Sequence, residues 1–421
     1  MKPPAMLYEL WRNVAAQRRG EFALADLASG RRWTFGQLLA AGEAQETDGG
    51  VFVCPQGQSP AFILALLSAW RSGKIACPLD SGQTTPAVPP PPEGCIHLKW
   101  TSATTGAPRL IAFTGEQLAS DAARIVAAMG LHPDWPNLGV ISLAHSYGFS
   151  NLVLPLLLHG IPLILAPSPL PEIVRRAAAT QSGVTLAAVP ALWRAWHEAG
   201  GVPPQVRAAI SAGAPLPLTL EQEVFAVSGI KIHNFYGASE CGGIAYDAAA
   251  APRADAALAG APMPGISLAL NDEGCLTIRS DSAGQTYWPE EGGALGGGKY
   301  QSSDLAELRD GLVFLQGRLS DQINVAGRKV APDTIERALL AHPRVRECLV
   351  FGAPSPDAGR EEMIVAVVAG SAGETELKQF LLETLPAWQA PRRWCFVPSL
   401  TPDARGKMSR AQWRRRFTGA S

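Results

Sequence analysis

The sequence has 421 residues, and its 36 lysines and arginines against 37 aspartates and glutamates give a formal net charge of −1. This balance gives no indication of a nucleic-acid binder driven by counterion release. An apolar fraction of 47% suffices for a sizeable core, and the length predicts one large domain or two to three ordinary ones.

Seven scattered cysteines form no CxxC pair, which argues against a zinc site and a disulfide framework. We therefore expect reduced thiols in a cytoplasmic protein. The N-terminal residues contain no apolar run of the signal-peptide type.

Short apolar runs alternate with longer amphipathic runs from about residue 50 onward. The pattern is visible in VFVC, SPAFILALLSAWRSG and KIACPL, and again in GVTLAAV, PALWRAWHEAG and VRAAISAG. Such alternation is typical of parallel sheets covered by helices. A proline-rich connector, residues 84–94, interrupts the pattern and carries no obvious chemistry.

A loop rich in hydroxyl groups follows the predicted strand CIHLKW. In WTSATTGAPRL, residues 100–110, four hydroxyl side chains precede one glycine and Arg109. Such a run suits an oxyanion, most often a phosphate, and is equally compatible with a polar surface turn. A Walker-type P-loop is excluded, because its Gly-Lys pair is absent and a second strand, LIAF, follows. Thr114 and Gln117 suit a capping box for the next helix, so the loop is predicted to be a hairpin tip.

The most lipid-like segment spans residues 151–167. It is interrupted by Pro155, His159, Gly160 and Pro162. Because a spanning helix needs about 20 apolar residues without such breaks, we predict a buried helix, a turn and a buried strand in place of a membrane span.

The pattern changes after about residue 263. Residues 266–280 and 305–317 each place a glycine-containing turn between alternating runs, which predicts two β-hairpins. The second hairpin would turn at Asp310 and Gly311.

A mixed α+β unit of about 100 residues follows Arg318. Pro332 suits the first turn of a helix over 332–341, and three apolar strands follow. We therefore predict an N-terminal domain over 1–318 and a C-terminal domain over 319–421.

Five separated motifs occur in one order along the chain. They are WTSATTGAPR (100–109), SAGAPLP (211–217), NFYGASECGG (234–243), SSDLAELRDGLVFLQGRLSDQINVAGRKV (302–330) and LTPDARGKMSR (400–410). Together they resemble the adenylate-forming superfamily, which includes acyl-CoA synthetases, firefly luciferase and the adenylation domains of nonribosomal peptide synthetases. Each motif is weak alone, whereas five in this order are a strong signal. Two weaker motifs, WTFGQL and FILALLSAWRSGKIACPLD, extend the resemblance to roughly residues 30–415.

The resemblance implies an ATP-dependent carboxylate ligase. A carboxylate would join the α-phosphate of ATP, and the acyl group would then pass to a thiol of coenzyme A or of the phosphopantetheine of an acyl carrier protein. The implied fold is α/β: a large N-terminal domain of helix-covered, mostly parallel sheets with a small β-barrel-like part, and a small mobile α+β C-terminal domain. Because the substrate supplies the nucleophile, the enzyme needs in-line positioning and charge stabilisation.

The resemblance also implies an ATP site. Tyr236 would stack on the adenine, and Asp304 would accept hydrogen bonds from the ribose. Glu240 would hold Mg²⁺, and Lys407 would bridge the attacking carboxylate and the α-phosphate. The implied ATP-binding residues are Thr101, Ser102, Thr104, Thr105, Gly106, Arg109, Gly213, Ala214, Pro215, Tyr236, Gly237, Ser239, Asp304 and Arg318.

The stretch LAHSYGFSN, residues 143–151, is similar to a family segment beside the acyl substrate. His145 would lie near the carboxylate as a third catalytic residue with Lys407 and Glu240, although a lone histidine is also compatible with a structural role. With His145, the residues Tyr147, Phe149 and Ala238 would line an apolar acyl pocket. Since no buried acid that would bind an α-ammonium group is found, an aryl or fatty acid is favoured.

Acyl transfer in this superfamily uses a rotation of the small domain about a hinge. Ser320 occupies the hinge position in GRLSDQI. Gly327 and Arg328, in VAGRKV, would then line the thiol channel.

Some positions depart from the family pattern. Ala103 replaces a usual glycine, Arg109 a usual lysine and Ser239 a usual threonine, and Ser320 stands where relatives often carry aspartate or lysine. With Ala103 and Arg109 in these positions, the sequence does not decide whether the hydroxyl loop closes over a phosphate. The substitutions at 103, 109 and 320 allow a nucleotide-binding homologue that has lost activity as one alternative. An amino-acid-activating stand-alone adenylation protein is a second alternative.

The C-terminal stretch RGKMSRAQWRRRF is basic. Such a run is usually a solvated face. The sharper hypothesis is that Arg414, Arg415 and Arg416 dock an acidic acyl carrier protein.

Overall fold

The computed structural model describes residues 6–46, 50–80, 82–101, 109–290, 292–355, 362–400 and 409–418. These ranges contain a large α/β region followed by a smaller α+β region, as the alternating sequence pattern predicts. The α/β fold class is therefore confirmed.

The first part of the chain combines short strands with longer helices. Its elements are α1 (Met6–Gln17), β1 (Phe22–Asp26), β2 (Arg31–Thr34), α2 (Phe35–Ala44), β3 (Phe52–Val53), α3 (Pro60–Arg71), β4 (Ile75–Ala76), β5 (His97–Trp100), β6 (Leu110–Phe113) and α4 (Gly115–Met129).

The middle part alternates strands and helices almost regularly. Its elements are β7 (Asn137–Gly139), α5 (Ser146–Gly148), a π-helical turn (Phe149–Val153), α6 (Leu154–His159), β8 (Leu163–Leu165), α7 (Pro171–Ala179), β9 (Val184–Ala188), α8 (Pro190–Glu198), β10 (Val206–Ser211), α9 (Leu218–Ser228), β11 (Ile232–Ala238) and β12 (Gly242–Tyr246).

Hairpins and then the α+β region complete the chain. The elements are β13 (Leu258–Pro262), β14 (Ser267–Leu270), β15 (Cys275–Arg279), β16 (Thr286–Trp288), β17 (Leu295–Gly296), β18 (Lys299–Arg309), β19 (Leu312–Arg318), a 3-10 turn (Leu319–Asp321), β20 (Ile323–Val325), β21 (Arg328–Val330), α10 (Pro332–Leu340), β22 (Val345–Pro354), β23 (Glu362–Gly370), α11 (Glu374–Thr384), a 3-10 turn (Ala387–Gln389), β24 (Arg393–Phe396) and α12 (Arg410–Thr418).

The largest sheet has the strand order β14-β15-β18-β19-β13-β12-β11-β10-β9-β7-β8-β1-β2, with β17 paired to β18. Its part from β1 to β11 is parallel, whereas the strands from β12 to β14 are antiparallel and continuous with it. Strand β9, VTLAA, is buried along its whole length, as expected for a parallel strand covered on both faces. A second sheet has the order β16-β6-β5-β4-β3.

Local signals in the sequence fix several element ends. Thr114 caps α4, and its side chain and that of Gln117 form the predicted capping box. Asp310 and Gly311 have φ angles of 52° and 74°, which matches the tight turn predicted between β18 and β19. Pro332 lies in the first turn of α10, also as predicted.

The apolar segment 151–167 folds as a buried helix, a turn and the buried strand β8, as predicted. The turn begins at Gly160, which ends α6 with a φ of 69°. In the part of the chain that the structure describes, no helix combines the length and apolarity needed to cross a membrane.

The α+β region has its own small sheet, β22-β23-β24, and its own apolar core. Arg337 of α10 donates to the Leu315 carbonyl at 3.0 Å and to the Gln316 side chain at 3.2 Å, which joins this region to β19. The 3-10 turn Leu319–Asp321 follows directly after the predicted domain boundary.

Candidate active site

The base of the hydroxyl loop is a closed strand pair. The Thr101 N–H donates to the Arg109 carbonyl at 2.8 Å, and the Thr101 hydroxyl accepts from the Arg109 N–H at 2.9 Å. Strands β5 and β6 form an antiparallel pair that ends next to Thr101 and Arg109, so the predicted hairpin is confirmed. The remaining predicted loop positions lie outside the described residues, namely Ser102, Ala103, Thr104, Thr105 and Gly106.

Three of the implied ATP-binding residues, Gly213, Ala214 and Pro215, follow β10. Gly213 has a φ of 86°, a left-handed conformation that glycine adopts without strain. Gly213 and Pro215 are exposed and Ala214 is half-buried, so the loop presents backbone at the surface. Arg253, a buried cation, donates to the Leu216 carbonyl at 2.8 Å and holds the end of this loop.

Three predicted site residues meet at the end of β11. The Tyr236 hydroxyl donates to Asp304 Oδ2 at 2.6 Å, and Arg318 Nε donates to Asp304 Oδ1 at 2.9 Å. Burial, followed by the Asp304 charge, raises the pKa of Tyr236 well above its ordinary value. Burial lowers the pKa of Arg318, but the Asp304 carboxylate outweighs this effect and raises it overall. The Asp304 carboxylate therefore lies between a phenol and a guanidinium and accepts a hydrogen bond from each.

Gly237 and Ala238 complete β11, and a turn over residues 239–241 leads into β12. This turn carries Ser239 and Glu240. The pKa of Glu240 is raised, and burial is its largest cause. The Tyr287 hydroxyl donates to Glu240 Oε1 at 3.1 Å.

Arg109 approaches Glu240 indirectly, through Tyr287. The guanidinium carbon of Arg109 lies 3.6 Å from the centre of the Tyr287 ring. Our sequence reasoning missed Tyr287, because a tyrosine in the three-residue strand TYW carries no spacing signal of its own.

Glu240 suits Mg²⁺ as a single carboxylate. Within the described ranges there is no group of three or more His, Cys, Asp or Glu residues that would form an all-protein metal site. Mg²⁺ prefers oxygen ligands and is commonly held by one or two carboxylates together with substrate phosphates. Glu240, partly exposed at the turn that carries Ser239, fits that mode.

His145 is paired with an acid that our sequence reasoning also missed. Its Nε2 lies 3.1 Å from Asp80 Oδ2, and Asp80 Oδ1 accepts from the Ser142 hydroxyl at 3.3 Å. The Tyr147 hydroxyl donates to the Ile210 carbonyl at 3.0 Å, which anchors the same segment to β10. Phe149 is 1% exposed and lies 4.3 Å from the His97 ring, so it packs in the core.

The predicted hinge and thiol-channel residues lie at the start of the α+β region. Ser320 is exposed in the 3-10 turn and donates to Asp321 at 3.4 Å. Gly327, with a φ of 80°, turns β20 into β21, and Arg328 follows it above the Trp388 ring at 5.6 Å.

Lys407 lies outside the described residues, but the helix that follows it is anchored. Arg410 binds Asp321 Oδ2 at 3.0 Å, Asp333 Oδ2 at 3.2 Å and Glu336 Oε2 at 2.6 Å. The start of α12 is thus tied both to the predicted hinge turn and to α10.

Two family models match the sequence. Residues 80–288 match the model described as AMP-binding enzyme, and residues 334–407 match the AMP-binding enzyme C-terminal domain. The first range contains Thr101, His145 and Glu240, and the second ends at Lys407.

Similar proteins span most of the chain. A 2-succinylbenzoate–CoA ligase from Salmonella typhimurium is 26% identical over 355 residues, which cover 81% of this chain and 74% of that protein. A fatty acid–[acyl-carrier-protein] ligase from Streptomyces coeruleorubidus is 30% identical over 266 residues, or 57% of this chain and 51% of that protein. The ATP-bound crystal structure of MatB from Rhodopseudomonas palustris has a TM-score of 0.85 at 19% identity, covering 97% of this chain and 99% of that one. At this identity the structural similarity concerns the fold.

Proposed function

Because the chain belongs to the adenylate-forming superfamily of AMP-binding enzymes, we propose that it is an ATP-dependent carboxylate ligase. It forms an acyl-adenylate from a carboxylic acid and transfers the acyl group to a thiol. The acid is an aryl or fatty acid, and the acceptor is coenzyme A or the phosphopantetheine of an acyl carrier protein.

The observation that carries this proposal is the cluster of Tyr236, Asp304 and Arg318. These residues come from three separate strands, β11, β18 and β19, and meet around one carboxylate. An ionised carboxylate accepts hydrogen bonds from the two hydroxyls of a ribose, while the adjacent tyrosine ring offers a face for a base. The arrangement suits the nucleoside of ATP.

The first step needs no nucleophile from the protein. A carboxylate oxygen of the acid attacks the α-phosphorus, the bond from that phosphorus to the bridging oxygen of the β-phosphate breaks, and pyrophosphate leaves. Arg109 and Lys407 supply positive charge beside the phosphates, and Ser239 donates a hydrogen bond to the α-phosphate. His145, oriented by Asp80, borders the acid.

Glu240 would hold Mg²⁺, which neutralises the charge on the phosphate oxygens when bound. The turn that carries Glu240 also carries Ser239, so the metal ligand and the α-phosphate donor are placed by one backbone segment.

The second step replaces the adenylate by a thioester. The thiol sulfur attacks the acyl carbon, AMP leaves, and the thiol proton is released to solvent. Gly327 and Arg328 line the thiol path after the C-terminal domain rotates about Ser320.

Two relatives support the choice of acid and acceptor. One is a ligase of 2-succinylbenzoate with coenzyme A, and the other joins a fatty acid to an acyl carrier protein. Both relatives join a carboxylic acid without an amino group to a thiol. The sequence of this chain favours the same class of acid, because it offers no predicted acid that would bind an α-ammonium group.

The test is a product screen. The protein is incubated with ATP, Mg²⁺ and a panel of aryl, fatty and amino acids, with coenzyme A or a holo-carrier protein, and products are identified by mass spectrometry. Acid-dependent pyrophosphate release with a thioester of an aryl or fatty acid is the expected result. Release with amino acids alone overturns the acid class, and ATP binding without any acid-dependent release overturns the ligase.

A further inference from the structure

A buried polar cluster lies behind the predicted phosphate-binding segments. Lys99, Asp121 and Ser150 are 3%, 2% and 3% exposed. The Ser150 hydroxyl donates to Asp121 Oδ2 at 2.6 Å, and Lys99 Nζ donates to the Ser150 hydroxyl at 3.4 Å. Burying two opposite charges is costly unless they are paired and hydrogen-bonded, and an apolar trio would fill the same space without that cost. The proposed reaction uses none of these three groups.

The acidic end of the cluster holds the turn that carries Ser239 and Glu240. Asp121 Oδ1 accepts from the Gly243 N–H at 2.9 Å, at the point where β12 begins. The neighbouring Gly242 has a φ of 72°, and a Cβ there would overlap the Asp121 carboxylate. Asp121 therefore fits closely against the backbone that follows Glu240.

The cationic end of the cluster holds the hairpin that carries the hydroxyl loop. Lys99 lies on β5, two residues before Thr101. Its Nζ lies 4.6 Å from the centre of the Phe113 ring on the paired strand β6. Lys99 thus belongs to one strand and contacts the other strand of the pair that leads into the implied ATP-binding residues Thr101 to Gly106.

We propose that Lys99, Ser150 and Asp121 are positioning residues that fix the separation between the strand pair β5–β6 and the Ser239–Glu240 turn. Ser150 and Asp121 lie on the π-helical turn and on α4, so two helical elements brace the two phosphate-binding segments from behind. This inference rests on the proposed function, in which both segments contact one triphosphate. Binding of a triphosphate requires both segments at the correct distance from each other. Binding of adenosine, which has no phosphates, requires contact with neither segment.

Removal of either charged side chain would leave a buried polar group without its partner. Gly243 would lose the acceptor of its N–H if Asp121 were apolar. Asp121 would be a buried carboxylate without a cation if Lys99 were apolar, and would draw water or move toward the surface. Asp121→Asn keeps an acceptor for Gly243 and a partner for Ser150, so the double variant Lys99→Met/Asp121→Asn removes both charges but keeps the contacts that position 121 makes with these two residues.

The test compares ligands that differ only in their phosphates. ATP with Mg²⁺ and adenosine are titrated by calorimetry into the wild type, Lys99→Met and Lys99→Met/Asp121→Asn. We expect Lys99→Met to weaken ATP binding about tenfold and adenosine binding less than about twofold, since an unpaired buried charge displaces its surroundings. The double variant should recover most of the affinity for ATP.

Lys231→Met is the matched control. Lys231 is also a buried cation, paired with Asp247 at 2.7 Å, but it contacts neither phosphate-binding segment among the described residues. It should lower the thermal unfolding temperature as Lys99→Met does, while changing ATP and adenosine affinity equally. If Lys99→Met does not fold, Ser150→Ala interrupts the same bridge and is measured in its place.

The outcomes separate this inference from the proposed function. Equal weakening of ATP and adenosine, or a double variant that binds ATP no better than the single one, overturns the positioning role alone. A wild-type protein that binds ATP but releases no pyrophosphate with any acid overturns the proposed ligase, while the comparison of ATP with adenosine still reports on positioning. A wild type that binds no ATP overturns both.

Discussion

The guanidinium of Arg109 stacks on the ring of Tyr287, with its central carbon 3.6 Å from the ring centre. The Tyr287 hydroxyl in turn donates to Glu240 at 3.1 Å, so the end of the hydroxyl loop and the predicted Mg²⁺ carboxylate share one aromatic side chain. Arg109 therefore has a contact that a lysine would make less well, because the planar guanidinium covers the ring face.

Removal of the Tyr287 hydroxyl should weaken Mg²⁺-dependent binding of ATP. Tyr287→Phe keeps the ring under Arg109 but frees the Glu240 carboxylate to rotate, so we expect the Mg²⁺ concentration that half-saturates ATP binding to rise about tenfold, as for other groups that orient a ligand. Calorimetric titration of ATP at several Mg²⁺ concentrations measures it. Tyr8→Phe is the control, since the buried Tyr8 hydroxyl has no hydrogen-bond partner in the described ranges. If both variants had the same half-saturating Mg²⁺ concentration, the Tyr287 hydroxyl would not orient Glu240.

Neutralisation of Asp304 should affect the nucleoside half of ATP. Asp304→Asn removes the charge between Tyr236 and Arg318 and replaces one acceptor oxygen by a donor, so adenosine and ATP should both bind about tenfold more weakly. Equilibrium binding of both ligands measures the effect. Glu307→Gln, on the exposed part of the same strand, should change neither. If ATP binding is lost while adenosine binding is kept, Asp304 does not contact the ribose.

Burial of His97 should make the protein less stable in acid. His97 is fully buried with no hydrogen-bond partner for either ring nitrogen within the described residues, and burial, with the Lys99 charge second, holds its pKa well below the ordinary value. Below pH of about 6.5 the unfolded chain binds a proton that the native protein does not, so the free energy of unfolding falls by about 2 kcal/mol between pH 6.5 and pH 5.

Urea unfolding at pH 7 and at pH 5 measures this contribution of His97. His97→Phe, which places a ring of similar shape against Phe149, should remove that part of the pH dependence. His132→Phe is the control, because the His132 side chain is 56% exposed and its substitution should leave the slope unchanged. An unaltered slope in His97→Phe would show that another group causes the acid sensitivity.

The regular elements were predictable because each carries its own signal within a few residues. Thr114 and Gln117 are three residues apart and form their box in any context that begins a helix. The turn at Asp310 and Gly311 requires positive φ angles at both positions, which few other residue pairs provide. Such signals do not depend on the rest of the fold.

The contacts of the site could not be predicted in the same way. Tyr287 is 47 positions from Glu240, and Asp121 is 122 positions from Gly243, so only strand pairing and helix packing bring them together. The motif resemblance identified Tyr236, Asp304 and Arg318 as site residues. It did not predict that the Asp304 carboxylate binds both of the other side chains. Asp80, the partner of His145, is the last residue of the weaker motif FILALLSAWRSGKIACPLD, to which the resemblance assigned no role, and it was therefore missed.

Reversal of charge on α12 should slow acyl transfer to a carrier protein and leave adenylation unchanged. Arg414 pairs with Glu362 at 3.2 Å, whereas Arg415 and Arg416 are exposed, so Arg415→Glu/Arg416→Glu changes the surface with least effect on the fold. Long-range attraction of an acidic partner acts mainly on the association rate, so we expect kcat/KM for holo-carrier protein to fall about tenfold at low salt, and less at high salt. Pyrophosphate exchange and transfer to coenzyme A are the internal controls. Equal loss with both acceptors would place the effect on domain rotation, and unchanged transfer to the carrier would exclude α12 as its docking face.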